Sequence, residues 1–262
     1  MYSGKAIYNP SGLAQQYSYW ACNFYVGCSG ECSYCYLKKG ITAKILGGNK
    51  PELKKCFKNE KDALQTFEKE LLLNLEELQK NGLFFSFTTD PMLRETYHTT
   101  MWAIFICLKN HVPVKILTKQ TWWIKDKIDI PFKGIAIGFS ISGGQDGLGC
   151  ASPIDRLDSM QYLHEMGLKT FLSIEPVLNV TTIKMYLGKY YPFVDLIKIG
   201  FESGKKIDID VAMDFYIWLK DLVQNIDTPL KIYLKDEFVE ALNIPREDMI
   251  PQFVTRDYNM FV

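Results

Sequence analysis

Seven short apolar runs alternate with longer amphipathic stretches along the chain, and this alternation limits the fold more than any other feature. The runs are Tyr19–Val26, Leu83–Phe87, Val114–Thr118, Ile135–Ile141, Thr170–Ile174, Asp195–Ile199 and Lys231–Leu234. They are rich in Ile, Val and Phe, and most lack polar alternation, which is how strands buried on both faces read. Between them, Asn59–Asn81 carries Leu64, Phe67, Leu71, Leu75 and Leu78 at three- and four-residue spacing, one face of a helix. Asn59 suits its start and Gly82 its stop. Ser152–Met166 opens with Ser152 as cap and Pro153 in the first helical position, presents Ile154, Leu157, Met160 and Leu163, and ends at Gly167. Val211, Phe215, Trp218 and Leu222 mark another helix, and two more are expected over Glu95–Lys109 and Thr181–Lys189.

Strand–helix alternation builds an α/β fold, a parallel sheet with helices outside. Six or seven strands suit a partial (β/α)6-type parallel barrel better than a full eight-stranded one. The expected organisation is an N-terminal segment over 1–17, the barrel over 18–235 and a short C-terminal extension, 236–262, packing on it. In such folds the chemistry sits at the C-terminal ends of the strands.

Composition narrows the function classes. The chain is 47% hydrophobic and 23% charged, whereas disorder needs low hydrophobicity and high net charge. Lys plus Arg is 30 and Asp plus Glu is 30, which argues against a general polyanion binder but leaves a local basic groove open. MYSGKAIYNPSG at the start has no apolar signal-peptide core. The longest apolar stretch, around Met101–Leu108, is too short to span a bilayer. A cytoplasmic protein with no membrane partner is expected. Seven cysteines cannot all pair with one another, and clustered cysteines in a reducing compartment point to metal or catalysis.

The cluster follows the first run: Gly27-Cys28-Ser29-Gly30-Glu31-Cys32-Ser33-Tyr34-Cys35-Tyr36, a C-x3-C-x2-C spacing. Three thiolates on one short loop can converge on one metal centre, and the glycines allow the tight backbone such a loop needs. A four-iron cluster normally takes four cysteines; with three, one iron keeps an open position for a substrate or cofactor. Structural zinc would need a fourth ligand, and the nearest cysteine is Cys22 on the preceding strand, with no histidine in the cluster.

This loop after the first strand, with an aromatic before its last cysteine, resembles the signature of the radical S-adenosylmethionine enzymes. The resemblance implies that Cys28, Cys32 and Cys35 hold a [4Fe-4S] cluster and that the open iron binds the amino and carboxylate groups of S-adenosylmethionine. Reduction then yields methionine and a 5′-deoxyadenosyl radical that abstracts a hydrogen atom. An external one-electron donor, flavodoxin- or ferredoxin-like, is implied as a partner.

Within the family, GCSGECSYCYLKKG is similar to the spore photoproduct lyase branch. Three strand ends fit it: Thr88-Thr89-Asp90-Pro91, Leu117-Thr118-Lys119 and Gly138-Phe139-Ser140-Ile141-Ser142. The branch implies that Thr89, Lys119 and Ser140 bind S-adenosylmethionine, with Tyr34 or Tyr36 near its adenine or ribose. A lysine can pair with the methionyl carboxylate, and hydroxyls can bond its polar groups. The structural alternatives are a solvated lysine and local turn hydrogen bonds, with Asp90 capping the turn before Pro91.

Two features depart from the branch. The usual Gly-Gly-Glu turn is absent, and Phe87 stands where the lyase has its hydrogen-donating cysteine. A related chemistry on another substrate is therefore expected, either nucleic acid or a nucleotide, or alternatively a peptide or protein. Ser173-Ile174-Glu175-Pro176 and Gly200-Phe201-Glu202-Ser203-Gly204 are similar to strings in phage- and mobile-element-associated radical proteins.

Glu175, Lys198, Glu202 and Lys235 put charge at late strand ends, as a polar pocket or as ion pairs such as Lys198–Glu175. Glu202 is the candidate nearest the cofactor. Arg156 either aims at the cofactor carboxylate or faces solvent. Gly143–Gly147 reads as a flexible loop or lid. The competing function classes are a non-catalytic iron–sulfur redox sensor and a zinc-stabilised binding module.

Overall fold

The structure is a computed structural model that describes residues 1–40, 42–125, 133–202, 204–225 and 229–262. Its strands are β1 (Ile7–Tyr8), β2 (Ala21–Cys22), β3 (Tyr25–Val26), β4 (Glu52–Leu53), β5 (Leu83–Phe85), β6 (Val114–Thr118), β7 (Ile135–Ile141), β8 (Lys169–Ile174), β9 (Leu196–Ile199) and β10 (Lys231–Leu234). The helices are α1 (Thr42–Leu46), α2 (Glu60–Leu73), α3 (Leu75–Asn81), α4 (Tyr97–Lys109), α5 (Pro153–Glu165), α6 (Val180–Tyr190), α7 (Ile209–Gln224) and α8 (Asp236–Leu242).

Eight strands make one sheet in the order β1-β2-β5-β6-β7-β8-β9-β10. The β2–β5, β5–β6, β8–β9 and β9–β10 pairs are parallel, and β1 joins antiparallel at the edge. This is the mostly parallel α/β architecture that the alternation of runs predicts. Every residue of β7 is buried, as its unbroken apolar run requires. No helix among the described residues is long and apolar enough to cross a membrane.

The first run behaves differently from the expectation. Tyr19–Val26 is two strands, and β3 leaves the main sheet to pair antiparallel with β4, Tyr25 opposite Leu53. The long helix also breaks: Asn74 (φ −121°, ψ 23°) separates α2 from α3. Asn59 does cap α2, its side chain accepting from the Asp62 amide at 2.9 Å.

By their contacts the described residues form two compact units. The first is Met1–Ile137 with Asp146–Ser152 and Phe261. Its core includes an aromatic cluster in which the rings of Phe24, Phe67 and Phe85 lie 5.4 to 6.5 Å apart. Glu70 of α2 is buried and its carboxylate accepts from the amides of Lys5 (2.6 Å), Ala6 (2.9 Å) and Ile7 (2.7 Å). Those charge-assisted bonds fix the edge strand β1.

The second unit is Gly138–Gln145 with Pro153–Met260 and Val262. Its core joins Phe215 of α7 to Phe238 of α8, which in turn meets Phe201 edge-on at 4.8 Å. Residues beyond β10 are tied back by a parallel bridge from Phe253 to Ile232.

Gly138 is a packing requirement. A Cβ there would stand 2.2 Å from the buried Phe171 ring. Gly138→Ala is expected to lower stability by about 1–3 kcal/mol, the usual cost of overpacking, read as a lower denaturant midpoint at unchanged slope.

Candidate metal centre

The cysteine loop begins where β3 ends. Gly27 takes φ +81°, and a Cβ there would meet the Lys50 carbonyl at 2.4 Å, so only glycine lets the chain turn against that backbone. The Cys28 amide donates to Gly48 O (3.0 Å) and the Cys35 amide to Cys32 O (3.2 Å). Cys35 starts a short 3-10 turn over Tyr36–Lys38.

A second segment lies against this loop within the same unit. A Cβ at Gly147 would be 2.0 Å from Gly30 O, and one at Gly149 would be 2.0 Å from Ser29 O. These two glycines permit backbone-to-backbone contact and bring Cys150 alongside. Cys150 Sγ lies 3.6 Å from Cys32 Sγ and 3.3 Å from Gly30 O. Three sulfurs surround Gly30: a Cβ there would be 3.2 Å from that of Cys150, 3.3 Å from that of Cys28 and 3.9 Å from that of Cys32.

Electrostatics separates the thiols. The hydrogen bond from Cys150, aided by the Lys119 cation, holds the Cys32 thiol well below the ordinary range, and the same bond pushes Cys150 up. Burial raises Cys28 to about 11 and also raises Cys35, on which Lys119 acts in the opposite sense. Cys22 and Cys107, fully buried, are pushed up by desolvation, as expected of inert structural thiols.

Lys119, at the end of β6, stands 3.7 Å from Asp146 Oδ1 and 5.3 Å from the centre of the Tyr34 ring. The Tyr34 hydroxyl donates to that same Asp146 oxygen. Tyr36, largely exposed, donates its hydroxyl to the Phe87 carbonyl. Asp90 is half-buried; its carboxylate accepts from the Met92 amide (2.9 Å), the Thr118 hydroxyl (2.7 Å) and the Lys119 amide (2.8 Å). The bond to Met92 is the expected turn cap. The other two couple the ends of β5 and β6 and set the height of Lys119. Burial raises the Asp90 carboxyl above its usual range.

Thr89 is 7% exposed and its hydroxyl has no hydrogen-bond partner among the described residues. Buried hydroxyls are almost always bonded, and among the described residues only those of Thr89 and Ser18 are buried without a partner. Phe87 is packed against Phe84 at 4.6 Å, with its amide bonded to Asn23 at 2.9 Å.

Thus Cys28, Cys32, Cys35, Tyr34, Tyr36, Thr89 and Lys119 all fall in the first unit. Ser140, Arg156 and Glu202 belong to the second. There Arg156 is fully buried rather than solvent-facing and donates to the Ser140 carbonyl. Glu202 pairs with Lys205 at 2.7 Å. Glu175 pairs with Lys235 at 2.5 Å, and Lys198 lies over the Tyr233 ring at 5.6 Å. Ser203 lies outside the described residues.

The glycine-rich loop is tied down. In the second unit a Cβ at Gly143 would be 2.4 Å from Asn179 O; in the first, Gly147 is pressed onto Gly30. Asp146 and Cys150 lie in and just after the glycine-rich loop, and sequence reading gave neither a role; their signal was the Gly147-x-Gly149-Cys150 spacing. Among the described residues no group of three His, Cys, Asp or Glu side chains is arranged to hold a metal ion.

No family model matches the chain, and no curated protein sequence does. Solved structures match it by shape. A mutant of spore photoproduct lyase with bound S-adenosylmethionine and dinucleoside spore photoproduct has TM-score 0.58 at 13% identity, over 82% of this chain and 76% of that one. The same enzyme complexed with dinucleoside spore photoproduct has TM-score 0.59 at 13% identity, over 83% and 77%. Streptococcus suis SuiB bound to S-adenosylmethionine has TM-score 0.59 at 15% identity, over 88% of this chain but 53% of that one. The chain therefore has the fold that spore photoproduct lyase and SuiB share.

Proposed function

We propose that this chain is a radical S-adenosylmethionine enzyme in which Cys28, Cys32 and Cys35 hold a [4Fe-4S] cluster. The observation that carries the reading is the placement, in one compact unit, of the three-thiol loop, a lysine whose charge acts on Cys32 and Cys35, and the unpartnered Thr89 hydroxyl. The donor set suits such a cluster: three cysteine thiols on one loop, with Gly30 keeping the space beside Cys28 and Cys32 free of a side chain. When bound, the cluster would pass an electron from a flavodoxin- or ferredoxin-like donor to S-adenosylmethionine and release a 5′-deoxyadenosyl radical.

The chain's own work is binding and orientation. Lys119, steadied by Asp146 and the Tyr34 ring, offers a cation for the methionyl carboxylate. The Thr89 hydroxyl offers a hydrogen bond to a polar group of S-adenosylmethionine. Tyr34 or Tyr36 would lie near the adenine or its ribose.

Thr89 supplies a test free of turnover. Among the described residues its hydroxyl has no hydrogen-bond partner, and a buried hydroxyl left so costs about 1–3 kcal/mol. Thr89→Val is expected to leave stability unchanged or raise it by about 1 kcal/mol, while weakening S-adenosylmethionine binding several-fold. Thermal unfolding and equilibrium binding measure the two effects. Lower stability with unchanged binding would count against the assignment.

We take nucleic acid or a nucleotide as the substrate class, because spore photoproduct lyase with this fold holds a dinucleoside photoproduct; a peptide or protein is the alternative. Phe87, packed where the lyase branch has a thiol, supports a final step unlike that of the lyase. Stimulation of 5′-deoxyadenosine release by DNA, RNA or peptide pools decides between the classes.

A further inference from the structure

Cys150 is one of the cysteines that sequence analysis left without a role. It is 118 residues from Cys32, yet their sulfurs are 3.6 Å apart. The contact is built in, because Gly147 and Gly149 lay their backbone directly on Ser29 and Gly30, where any side chain would collide at 2.0 Å. The Cys150 amide is held by Gly147 O at 3.1 Å, and Gly30 contributes no side chain to the space between the sulfurs. A disulfide bond is about 2 Å long, so the sulfurs must close by about 1.5 Å. Both residues are half-buried, which admits a small reagent; Cys22 and Cys107 are sealed in the core.

The geometry points to Cys32 and Cys150 as a reversible disulfide pair, formed when the chain lacks its cluster. The oxidant is a low-molecular-weight disulfide. The Cys32 thiol attacks it, forming a mixed disulfide and releasing one thiol. The Cys150 thiol then attacks Cys32 Sγ, forms the protein disulfide and expels the second thiol. Two protein thiols are oxidised and one small disulfide is reduced to two thiols, with no other reactant. The bond itself needs only the geometry. Its consequence rests on the cluster reading: with Cys32 tied up, iron and sulfide cannot load, and reduction restores loading.

The full chain, reduced and metal-free, would be treated anaerobically with oxidised glutathione, alkylated and mapped by peptide mass spectrometry. A peptide joining Cys32 to Cys150 is the expected product, with the exposed Cys56 carrying glutathione as an internal control. In Cys150→Ser, Cys32 should retain glutathione as a mixed disulfide. Cys150 left alkylatable while Cys56 has reacted, or Cys32 joined to Cys28 or Cys35, overturns the proposal. Because the map is read on metal-free protein, failure of the cluster reading would show separately, as reduced protein that takes up no iron.

Discussion

Cys32→Ala protein reconstituted anaerobically with iron and sulfide is expected to lose the brown cluster chromophore and essentially all S-adenosylmethionine cleavage. Loss of an outer-shell partner at a metal site typically costs 10–100-fold; loss of one of three ligands should exceed that. Cys32 is the informative choice, because its thiol is already held low by Cys150 and Lys119 and is the most ready of the three to give up its proton. Cys56→Ala, exposed and outside the loop, should keep full iron and sulfide content. Equal loss in both would mean that the chromophore depends on general thiol content and not on this loop.

Gly147→Ala should be the most damaging substitution outside the cysteines. The new methyl would lie 2.0 Å from Gly30 O and 2.5 Å from Glu31 O, and backbone atoms cannot step aside as a flexible side chain can. The two segments must part, at a cost of about 1–3 kcal/mol or more, and Cys150 and Asp146 move with them. The expected results are a lower unfolding midpoint and faster alkylation of Cys150. Gly188 is the control: it sits in α6 with nothing within 4 Å of its Cβ position. There alanine should stabilise by about 0.5–1 kcal/mol through helix propensity. A Gly147→Ala protein as stable as wild type would show that the contact between the segments is looser than described.

What the sequence made legible is what local chemistry determines. Val114–Thr118, Ile135–Ile141 and Lys231–Leu234 are strands over their full lengths, because buried parallel strands need continuous apolar runs. Asn59 and Pro153 mark helix starts through capping and a fixed φ. The three-cysteine loop was visible because its ligands are close in sequence.

Long-range contacts were not legible. Strands β1 and β4 are two residues each, too short for any period, and β1 is fixed by Glu70 more than sixty residues away. The break of Tyr19–Val26 follows from pairing with β4, which no local pattern announces. Asp146 meets Lys119 and Tyr34, and Cys150 meets Cys32, only once a distant loop has docked through two glycines. Arg156 shows the same limit: its position on α5 is readable, but its burial against the Ser140 carbonyl is a tertiary fact.

The most direct measurement is 5′-deoxyadenosine formation by mass spectrometry, after anaerobic cluster reconstitution, with S-adenosylmethionine and a strong reductant. Iron and sulfide are quantified on the same samples. Wild-type protein should form 5′-deoxyadenosine and methionine in equal amounts, Thr89→Val less, and Cys32→Ala none. A fully loaded wild-type cluster that forms no 5′-deoxyadenosine, with or without DNA, RNA and peptide pools, would contradict the enzyme reading.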